Sequence, residues 1–482
     1  MSYRVIQGDC VEGMKTLPDE CVHTVITSPP YYGLRDYGTA SWEGGDSECN
    51  HTISMDTKWN DPKRGTSVLR PEVAHRGGSA NTCHKCGATR IDQQIGLEET
   101  PDQYVSRLVE VFREVRRILR KDGTLWLNLG DSYAGHNSRA SNNGRAGYGN
   151  PREGIVTRIS EGLKPKDLIG IPWRVAFALQ ADGWWLRQDI IWHKPNPMPE
   201  SVNDRCTKSH EYIFLLSKSK DYYYDNVAIH EPIKDVSALR MLRGVSDNHK
   251  HIDGAPGQTP HSMNQPRLNV RKQFDNTMGG GGTSFIGHSG YKKADGTIMI
   301  KETRNKRSVW TVTTKPYADA HFAVFPPKLI EPCVLAGTSE YGCCNDCGAP
   351  RERVTGRSCA KCNAFIPNQG KECPACKFAN KEWKDNRVNN SSLRAGESDT
   401  VGSLVARKTD LTPTSIENGW KPTCTCETNL TKPCVVFDPF TGSGTTALVA
   451  MEHNRHFIGT ELNPEYVALI EKRLSAVQPR LL

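Results

Sequence analysis

The chain opens with short apolar runs separated by polar turns, a pattern typical of an α/β fold. Residues 3–6 predict a strand, the Gly8-Asp9 turn leads into a helical stretch, and residues 22–26 predict a second strand. The second strand runs into Pro29 and Pro30, which allow neither a strand nor a helix to continue. We therefore expect a rigid turn at the end of this strand.

The clearest helix signal begins at Thr100. Thr100 can cap the helix, Pro101 suits its first position, and Gln103 completes a capping box. Residues 121–123 end the pattern, and residues 124–129 follow as an expected strand. Strand-helix-strand order of this kind predicts a largely parallel sheet covered on both faces. The apolar stripe of the helix comprises Val105, Leu108, Val109, Phe112, Val115 and Leu119.

Similar signals recur toward the C-terminus. Residues 171–179 predict a helix, residues 185–192 a strand, and residues 435–474 a compact strand-turn-helix-strand-helix unit. Residues 135–162 are rich in Gly, Asn, Ser and Arg and predict a loop. Residues 235–308 are basic and poor in aliphatic side chains, so we expect them to supply little of the core.

Composition narrows the class of protein. The 482 residues fit one large catalytic domain with insertions, or two to three ordinary domains. Lys plus Arg number 62 against 54 Asp plus Glu, and the net charge of +8 permits a polyanionic partner. No apolar run reaches the roughly 18 residues of a membrane span, and no signal peptide is recognised at the start. We therefore expect a soluble intracellular protein without a membrane partner.

The sequence contains 17 cysteines, an odd number that favours metal ligands over a disulfide framework in a chain without an export signal. Four of them are spaced as in a zinc ribbon, with an iron-sulfur cluster as the alternative; they are Cys359, Cys362, Cys373 and Cys376. Sites with four protein ligands have no open position for water, so we expect two to three structural zinc ions. The other two predicted groups are Cys49, His51, Cys83 and Cys86, and Cys344, Cys347, Cys424 and Cys426, with Cys343 an alternative to Cys344.

A glycine turn follows the apolar strand at residues 435–437. Gly442 and Gly444 let the backbone approach a ligand closely, and the helix after them offers unpaired N–H groups. The lysine of a phosphate-binding loop is missing, so nucleoside triphosphate binding is not expected. Glu461 ends the next strand and suits a carboxylate that accepts hydrogen bonds from a ribose diol. The alternative is a solvated acid at a strand end.

Two motifs together resemble a known family. Thr27-Ser28-Pro29-Pro30-Tyr31 and Phe437-Asp438-Pro439-Phe440-x-Gly442-Ser443-Gly444-Thr445-Thr446 are similar to motifs of S-adenosylmethionine-dependent DNA methyltransferases that act on exocyclic amino groups. Their order along the chain resembles the circularly permuted β class of bacteria and phages. The resemblance implies a Rossmann-like, doubly wound methyltransferase sheet that binds S-adenosylmethionine. It covers residues 1–40, 95–235, 305–342 and 430–482, the expected catalytic core.

The resemblance also implies the roles of individual residues. Asp9 would contact the adenine side of S-adenosylmethionine, and Glu461 would contact its ribose. The partner would be double-stranded DNA, in the cytoplasm of a prokaryotic cell or a phage-infected host. The methionine side of the cofactor would be held by the glycine turn, namely Asp438, Phe440, Gly442, Gly444 and Thr445.

The Ser-Pro-Pro-Tyr turn suits methylation of an amine. An exocyclic amine on a base ring is a poor nucleophile, because its lone pair is delocalised into the ring. A site that accepts hydrogen bonds from both amine hydrogens can turn that lone pair toward the methyl-sulfonium carbon. Ser28 Oγ and the Pro29 carbonyl suit this role, Pro30 stiffens the turn, and Tyr31 can stack on the base. The base should be flipped out of the duplex, and transfer needs no covalent enzyme intermediate.

Several reactions compete for this site. In the family, Ser before Pro-Pro-Tyr favours cytosine N4, with adenine N6 the alternative. Motif order and Ser28 in place of Asn oppose methylation of a protein glutamine, and intact cofactor motifs oppose a non-catalytic, zinc-stapled DNA-binding protein. Neither Pro332-Cys333 nor Pro433-Cys434 has the glutamine that follows the nucleophile of C5-cytosine enzymes. No His has Glu two residues later, which opposes zinc-dependent deamination.

The remaining segments are expected to be insertions. Residues 41–94 and 343–429 would bind zinc, and residues 236–304 would recognise the DNA target, with a disordered solvated insertion as the alternative for the latter. Lys194 lies among prolines and either lines the DNA channel or belongs to a rigid surface loop. The residues predicted to contact DNA are Lys194, Arg267, Arg271, Lys272, Lys306 and Arg307.

Overall fold

The computed structural model describes residues 2–33, 41–51, 82–83, 85–91, 94–134, 163–232, 303–314, 324–358 and 412–475, together with a few short strands and single residues between these ranges. The chain divides into two compact units. The first comprises residues 1–224, 308–340 and 433–482, and the second comprises residues 225–307 and 341–432.

An eight-stranded sheet runs through the first unit. Its described strands are β1 (Tyr3–Gln7), β2 (Val22–Thr27), β3 (Leu119–Leu129), β4 (Trp185–His193), β5 (His210–Ser217), β6 (Val309–Thr311), β7 (Val435–Asp438) and β8 (His456–Glu461). Among the described residues the strand order is β1-β8-β7-β2-β3-β5-β4-β6. The first five strands in this order are parallel to one another, β5 is antiparallel to both of its neighbours, and β6 is parallel to β4.

The predicted α/β class with a mainly parallel sheet is confirmed. The exception is β5, a strand that was not predicted from the sequence and that runs antiparallel to both of its neighbours. Residues 194–209 join β4 to β5 without a described helix, whereas the crossover between parallel neighbours is usually helical. The permuted motif order stays a prediction.

Six helices accompany the sheet in the described part of the chain. α2 begins as expected, because Gln103 N donates to Thr100 Oγ1 and Thr100 N donates to Gln103 Oε1. It ends at Ile118, sooner than its apolar stripe predicts, since Leu119 is extended and pairs with Val22 of β2. The helices are α1 (Cys10–Lys15), α2 (Pro101–Ile118), α3 (Ile171–Ala181), α4 (Pro327–Gly337), α5 (Thr445–Glu452) and α6 (Pro464–Ser475).

Helices cover the sheet on both faces. On one face Val25 and Leu125 pack into a buried cluster with Leu108 and Phe112 of α2. The neighbouring Thr24 points to the opposite face, because side chains alternate along a strand. There α4 approaches so closely that a Cβ on Gly337 would lie 2.5 Å from Thr24 Oγ1. Every residue of β2 is therefore buried, as the strand-helix-strand order predicts.

The five adjacent parallel strands β1, β8, β7, β2 and β3 end at the same edge of the sheet. Glu461 ends β8 directly beside Gln7 of β1, and Gly8 N donates to the Glu461 carbonyl over 2.8 Å. β7 lies between β8 and β2, so the glycine turn and the Ser-Pro-Pro-Tyr turn follow neighbouring strands. Carboxyl ends of parallel strands are the usual place for ligands in such folds.

The second unit is built from short antiparallel strands. Glu352–Ser358 pairs with Thr412–Lys421 and with Phe365–Pro367, and Cys343–Cys344 pairs with Thr431–Lys432. Smaller pairs join Glu231–Pro232 to Thr303–Arg304, and Gly290–Lys292 to both Phe285–Ile286 and Ile298–Ile300. In the first unit Ser41–Glu43 pairs with Thr89–Ile91, and Trp59–Asn60 with Ser67–Val68.

None of the described helices combines the length and the apolar character that crossing a lipid bilayer requires.

Candidate active site at the carboxyl edge of the sheet

A buried carboxylate joins the turns that follow β2 and β7. Asp438 accepts hydrogen bonds from Thr27 Oγ1 at 2.6 Å, from Thr446 Oγ1 at 2.7 Å and from Phe440 N at 3.0 Å. Asp438 is only 1% exposed, so these donors replace water around the carboxylate. Burial raises the pKa of Asp438 to about 6, against the opposing effect of the three donors. The two predicted motifs are thus held together by one side chain.

The glycine turn has the geometry that its sequence predicts. Gly442 and Gly444 have φ of 52° and 78°, a left-handed conformation that favours glycine. Gly444 leads directly into α5, whose first residue, Thr445, is buried and accepts from Arg473 Nη1 at 3.1 Å. Phe440 is partly buried against the main apolar cluster. The turn therefore places the N-terminus of a helix beside the end of β8.

Glu461 faces this turn. Its carboxylate accepts from Gly442 N at 2.7 Å and from Asn463 N at 2.9 Å. Burial raises the pKa of Glu461 to about 7, and Asp438 raises it further, while these backbone N–H groups lower it. Asp9 lies at the end of the adjacent strand and caps α1, accepting from Val11 N at 2.9 Å and Glu12 N at 3.1 Å.

All seven residues predicted to bind S-adenosylmethionine thus lie along one edge of the sheet. The side chains of Asp9 and Asp438 already accept hydrogen bonds within the protein, so in this structure they shape the loops of the site. Their direct contacts with a cofactor, like those of the other five residues, stay predictions.

The Ser-Pro-Pro-Tyr turn is fixed from two sides. Tyr104 of α2 donates its hydroxyl to the Pro30 carbonyl over 2.8 Å. The Tyr31 ring lies against Gly130, where a Cβ would approach Tyr31 Cε2 to 2.5 Å. Only glycine leaves room for the ring at this position. Ser28 Oγ lies 3.3 Å from the Tyr31 hydroxyl, so Ser28 and Tyr31 belong to one polar network.

Two polar residues of this network were not predicted from the sequence. Asn128, near the end of β3, and Glu211, at the start of β5, lie 3.2 Å and 2.8 Å from the Tyr31 hydroxyl. Burial raises the pKa of Tyr31 well above its usual value, and the Glu211 carboxylate raises it further. The only sequence signal for Glu211 is a carboxylate just before an apolar strand. Its place in the site depends on the antiparallel direction of β5.

The residues predicted to contact DNA do not all lie in the same part of the chain. Lys194 forms an ion pair with Glu211, and its Nζ lies 4.3 Å from the centre of the Trp192 ring. In the second unit Arg307 pairs with Glu231 at 2.6 Å, and its neighbour Lys306 is half-buried. Arg267, Arg271 and Lys272 lie outside the described residues, so their predicted role is untouched by the structure.

Two of the three predicted cysteine groups come together. In each, the ligand atoms all lie within 4.8 Å of one another. The Cys49 and Cys83 sulfurs are 4.0 Å apart, and the Cys86 sulfur is 3.2 Å from His51 Nδ1. The third group, Cys359, Cys362, Cys373 and Cys376, lies outside the described residues. The two groups that come together are Cys49, His51, Cys83 and Cys86, and Cys344, Cys347, Cys424 and Cys426.

Most of the chain matches a known protein family. Residues 22–347 and 429–472 match the model of the N6/N4 DNA methylase family. Type II methyltransferase M.Cfr9I of Citrobacter freundii is 30% identical over 477 residues, which cover 98% of this chain and 87% of the relative. Type II methyltransferase M.SmaI of Serratia marcescens is 37% identical over 346 residues, 71% of this chain and 77% of the relative.

A solved structure titled PvuII DNA methyltransferase, cytosine-N4-specific, aligns with a TM-score of 0.41 at 13% identity. The alignment covers 100% of this chain and 90% of that chain.

The family model matches more than half of the chain, and M.Cfr9I is 30% identical over 98% of it. These two findings establish the class of protein. The chain belongs to the N6/N4 family of S-adenosylmethionine-dependent DNA amino-methyltransferases. The resemblance carried by the Ser-Pro-Pro-Tyr and glycine-turn motifs is therefore confirmed.

The link through Asp438 leads to a stability prediction. Thr27→Val removes one donor from a buried carboxylate and should destabilise the protein by about 2 kcal/mol at pH 8, where Asp438 is ionised. The matched control is Thr24→Val on the same strand, whose buried hydroxyl bonds to the neutral Thr124 and should cost about 1 kcal/mol. Urea unfolding measures both. Equal costs would show that the charge of Asp438 adds nothing to the link.

Proposed function

We propose that this protein is a site-specific methyltransferase that moves a methyl group from S-adenosylmethionine to the exocyclic amine of a flipped base in double-stranded DNA, with cytosine N4 the favoured target. The observation that carries the proposal is the Thr27–Asp438 hydrogen bond, which holds the Ser-Pro-Pro-Tyr turn beside the glycine turn. An amine acceptor site and a cofactor turn on neighbouring strands are what direct transfer between two bound molecules needs.

The cofactor turn fits S-adenosylmethionine. A Cβ on Gly442 would have only the Phe440 carbonyl, at 3.9 Å, within 4 Å, so the backbone there is open to a ligand. A Cβ on Gly444 would lie 3.0 Å from Ile470 of α6, so Gly444 instead allows close packing of that helix. Glu461 offers a half-buried carboxylate for the ribose hydroxyls, and Asp9 lies beside it at the end of β1. When bound, the cofactor supplies a methyl group on a sulfonium centre. Phe440 and Thr445, at the other end of the turn, would orient the cofactor.

The amine would be held by Ser28 and Pro29. The Pro30 carbonyl accepts from the Tyr104 hydroxyl, which holds the turn in place. In the proposal Ser28 Oγ and the Pro29 carbonyl are the acceptors for the two amine hydrogens, and the Tyr31 ring provides a surface for the base. Accepting both hydrogens turns the nitrogen lone pair out of the ring plane, toward the methyl group.

The choice of cytosine as the target base rests on one residue. Ser28 before Pro-Pro-Tyr favours cytosine N4, and adenine N6 is the second candidate.

Phosphate contacts are proposed for Lys194, Lys306 and Arg307, and for the basic segment 236–304 with Arg267, Arg271 and Lys272. Relatives from bacteria that are type II methyltransferases support a restriction-modification role in the prokaryotic cytoplasm.

Incubation with S-adenosylmethionine and unmethylated genomic DNA tests the function. Mass spectrometry of the digested nucleosides should detect N4-methylcytosine, and Ser28→Ala should abolish most of it because one amine acceptor is lost. N6-methyladenine instead would assign the second target. Neither product, with cofactor binding demonstrated, would favour a non-catalytic DNA-binding protein.

Cofactor binding should depend on pH through Glu461. With its pKa raised to about 7, the carboxyl is mostly protonated at pH 6 and mostly ionised at pH 8. Ribose hydroxyls donate to the ionised form, so affinity for S-adenosylmethionine should rise about tenfold from pH 6 to pH 8. Calorimetric titration of wild type and Glu461→Gln measures this. A slope left in the variant would come from other groups that titrate in this range, such as Asp438 with its pKa of about 6 and the amino group of the cofactor, and an unchanged slope would argue against Glu461.

We further propose that the two described cysteine groups each bind one structural zinc ion. Tetrahedral zinc with bonds of about 2.3 Å places its sulfur ligands about 3.8 Å apart, close to the 4.0 Å between Cys49 and Cys83. Four protein ligands fill the coordination shell, which suits a role in folding rather than in catalysis. A third ion would belong to the group from Cys359 to Cys376.

Elemental analysis tests the zinc proposal. Purified protein should contain at least two zinc ions per chain, and Cys83→Ser should lower that number by one, because the remaining three ligands bind zinc weakly. Cys206→Ser is the matched control, since Cys206 is exposed and lies outside both groups. Fewer than two zinc ions in the wild-type protein would contradict the proposal.

A further inference from the structure

The Tyr31 hydroxyl has one proton and lies among three oxygens. Two of them can only accept hydrogen bonds, namely Glu211 Oε2 at 2.8 Å and Asn128 Oδ1 at 3.2 Å. The orientation of Asn128 is set by its Nδ2, which donates to the Tyr212 carbonyl over 3.0 Å. The Tyr31 proton therefore points away from the third oxygen, Ser28 Oγ at 3.3 Å.

This direction decides the role of Ser28. A serine hydroxyl can donate or accept, but the Tyr31 oxygen offers it only a lone pair. Ser28 therefore donates its proton to Tyr31, and its own lone pairs remain available to accept hydrogens from an amine. Were the order reversed, Tyr31 would take up one of the two Ser28 lone pairs, and the Ser28 proton would lose this acceptor and be free to point toward the amine.

Both oxygens of Glu211 are engaged. Oε1 accepts from Lys194 Nζ, while Oε2 accepts from Tyr31 and lies 3.3 Å from Asn128 Nδ2. Lys194 also lies over the Trp192 ring, which fixes its ammonium group beside Glu211. The carboxylate thus has a donor on each side, and it is suited to them because it offers two acceptor oxygens and no proton.

We propose that Glu211 is a positioning residue that sets the direction of the hydrogen bonds from Ser28 to Tyr31 to Glu211, and so keeps Ser28 Oγ an acceptor for the target amine. The inference rests on the proposed function, since it assigns Ser28 to the amine. Glu211 acts through Tyr31 and does not itself contact the base.

Glu211→Gln should weaken this direction. An amide has one acceptor oxygen, and Lys194, which can only donate, takes it. The amide NH2 then faces the Tyr31 oxygen, and the Tyr31 proton is left with two acceptors at similar distances, Asn128 Oδ1 at 3.2 Å and Ser28 Oγ at 3.3 Å. Because part of the population then donates to Ser28, we expect kcat for DNA methylation to fall severalfold, while the KM for S-adenosylmethionine stays unchanged.

Introducing Glu211→Gln into two other variants separates a change in hydrogen-bond direction from a general loss of structure. In Tyr31→Phe there is no hydroxyl to reorient, so adding Glu211→Gln should not lower kcat further. In Lys194→Met the amide oxygen can turn back to Tyr31, so Glu211→Gln should cost little there. The double variant Lys194→Met, Glu211→Gln leaves no unpaired charge at this position, so it also tests the proposal if Glu211→Gln alone folds poorly. Glu114→Gln, which removes an ion-paired carboxylate of α2, is the matched control and should keep full activity.

The measurements are kcat and KM at saturating DNA for these variants. An unchanged kcat in Glu211→Gln, or an equal loss in the Tyr31→Phe and Lys194→Met backgrounds, would overturn the inference. A wild-type protein that methylates no DNA would instead contradict the proposed function.

Discussion

The site depends on one buried carboxylate. Asp438 ends β7, and its three hydrogen bonds reach Thr27 at the end of β2 and both sides of the glycine turn. Water cannot replace these donors in a position that is 1% exposed, so the carboxylate holds the loops in one arrangement. Methyl transfer requires the donor and the acceptor to be held in a fixed relation, and Asp438 fixes the two turns that we propose hold them.

A second network acts on the other side of the Ser-Pro-Pro-Tyr turn. Tyr104 engages the Pro30 carbonyl, Gly130 makes room for the Tyr31 ring, and Glu211 and Asn128 receive its hydroxyl. These groups come from α2, from β3 and from the antiparallel strand β5. The parallel strands thus carry the glycine turn, while the antiparallel β5 supplies Glu211, which we propose orients the amine acceptor.

Local signals in the sequence predicted most elements of the catalytic unit. The helix at Thr100 begins where its capping box places it, and the helix expected at residues 171–179 is observed as Ile171–Ala181. Capping and hydrophobic periodicity act over a few residues, so a single sequence reveals them. The end of α2 was misplaced because Leu119 is apolar in either conformation. Its pairing with Val22 of β2, almost a hundred residues away, decides the matter.

The sequence by itself determined the class of chemistry, because Ser-Pro-Pro-Tyr and the glycine turn each place chemically specific groups within a few residues. It also predicted the groups of cysteines that meet. Only the tertiary structure decided that Asp438 is engaged by Thr27 and that Glu211 reaches Tyr31. The physical reason is that these contacts follow from the order and direction of strands. Strand order results from packing over the whole chain, and no local pattern carries it.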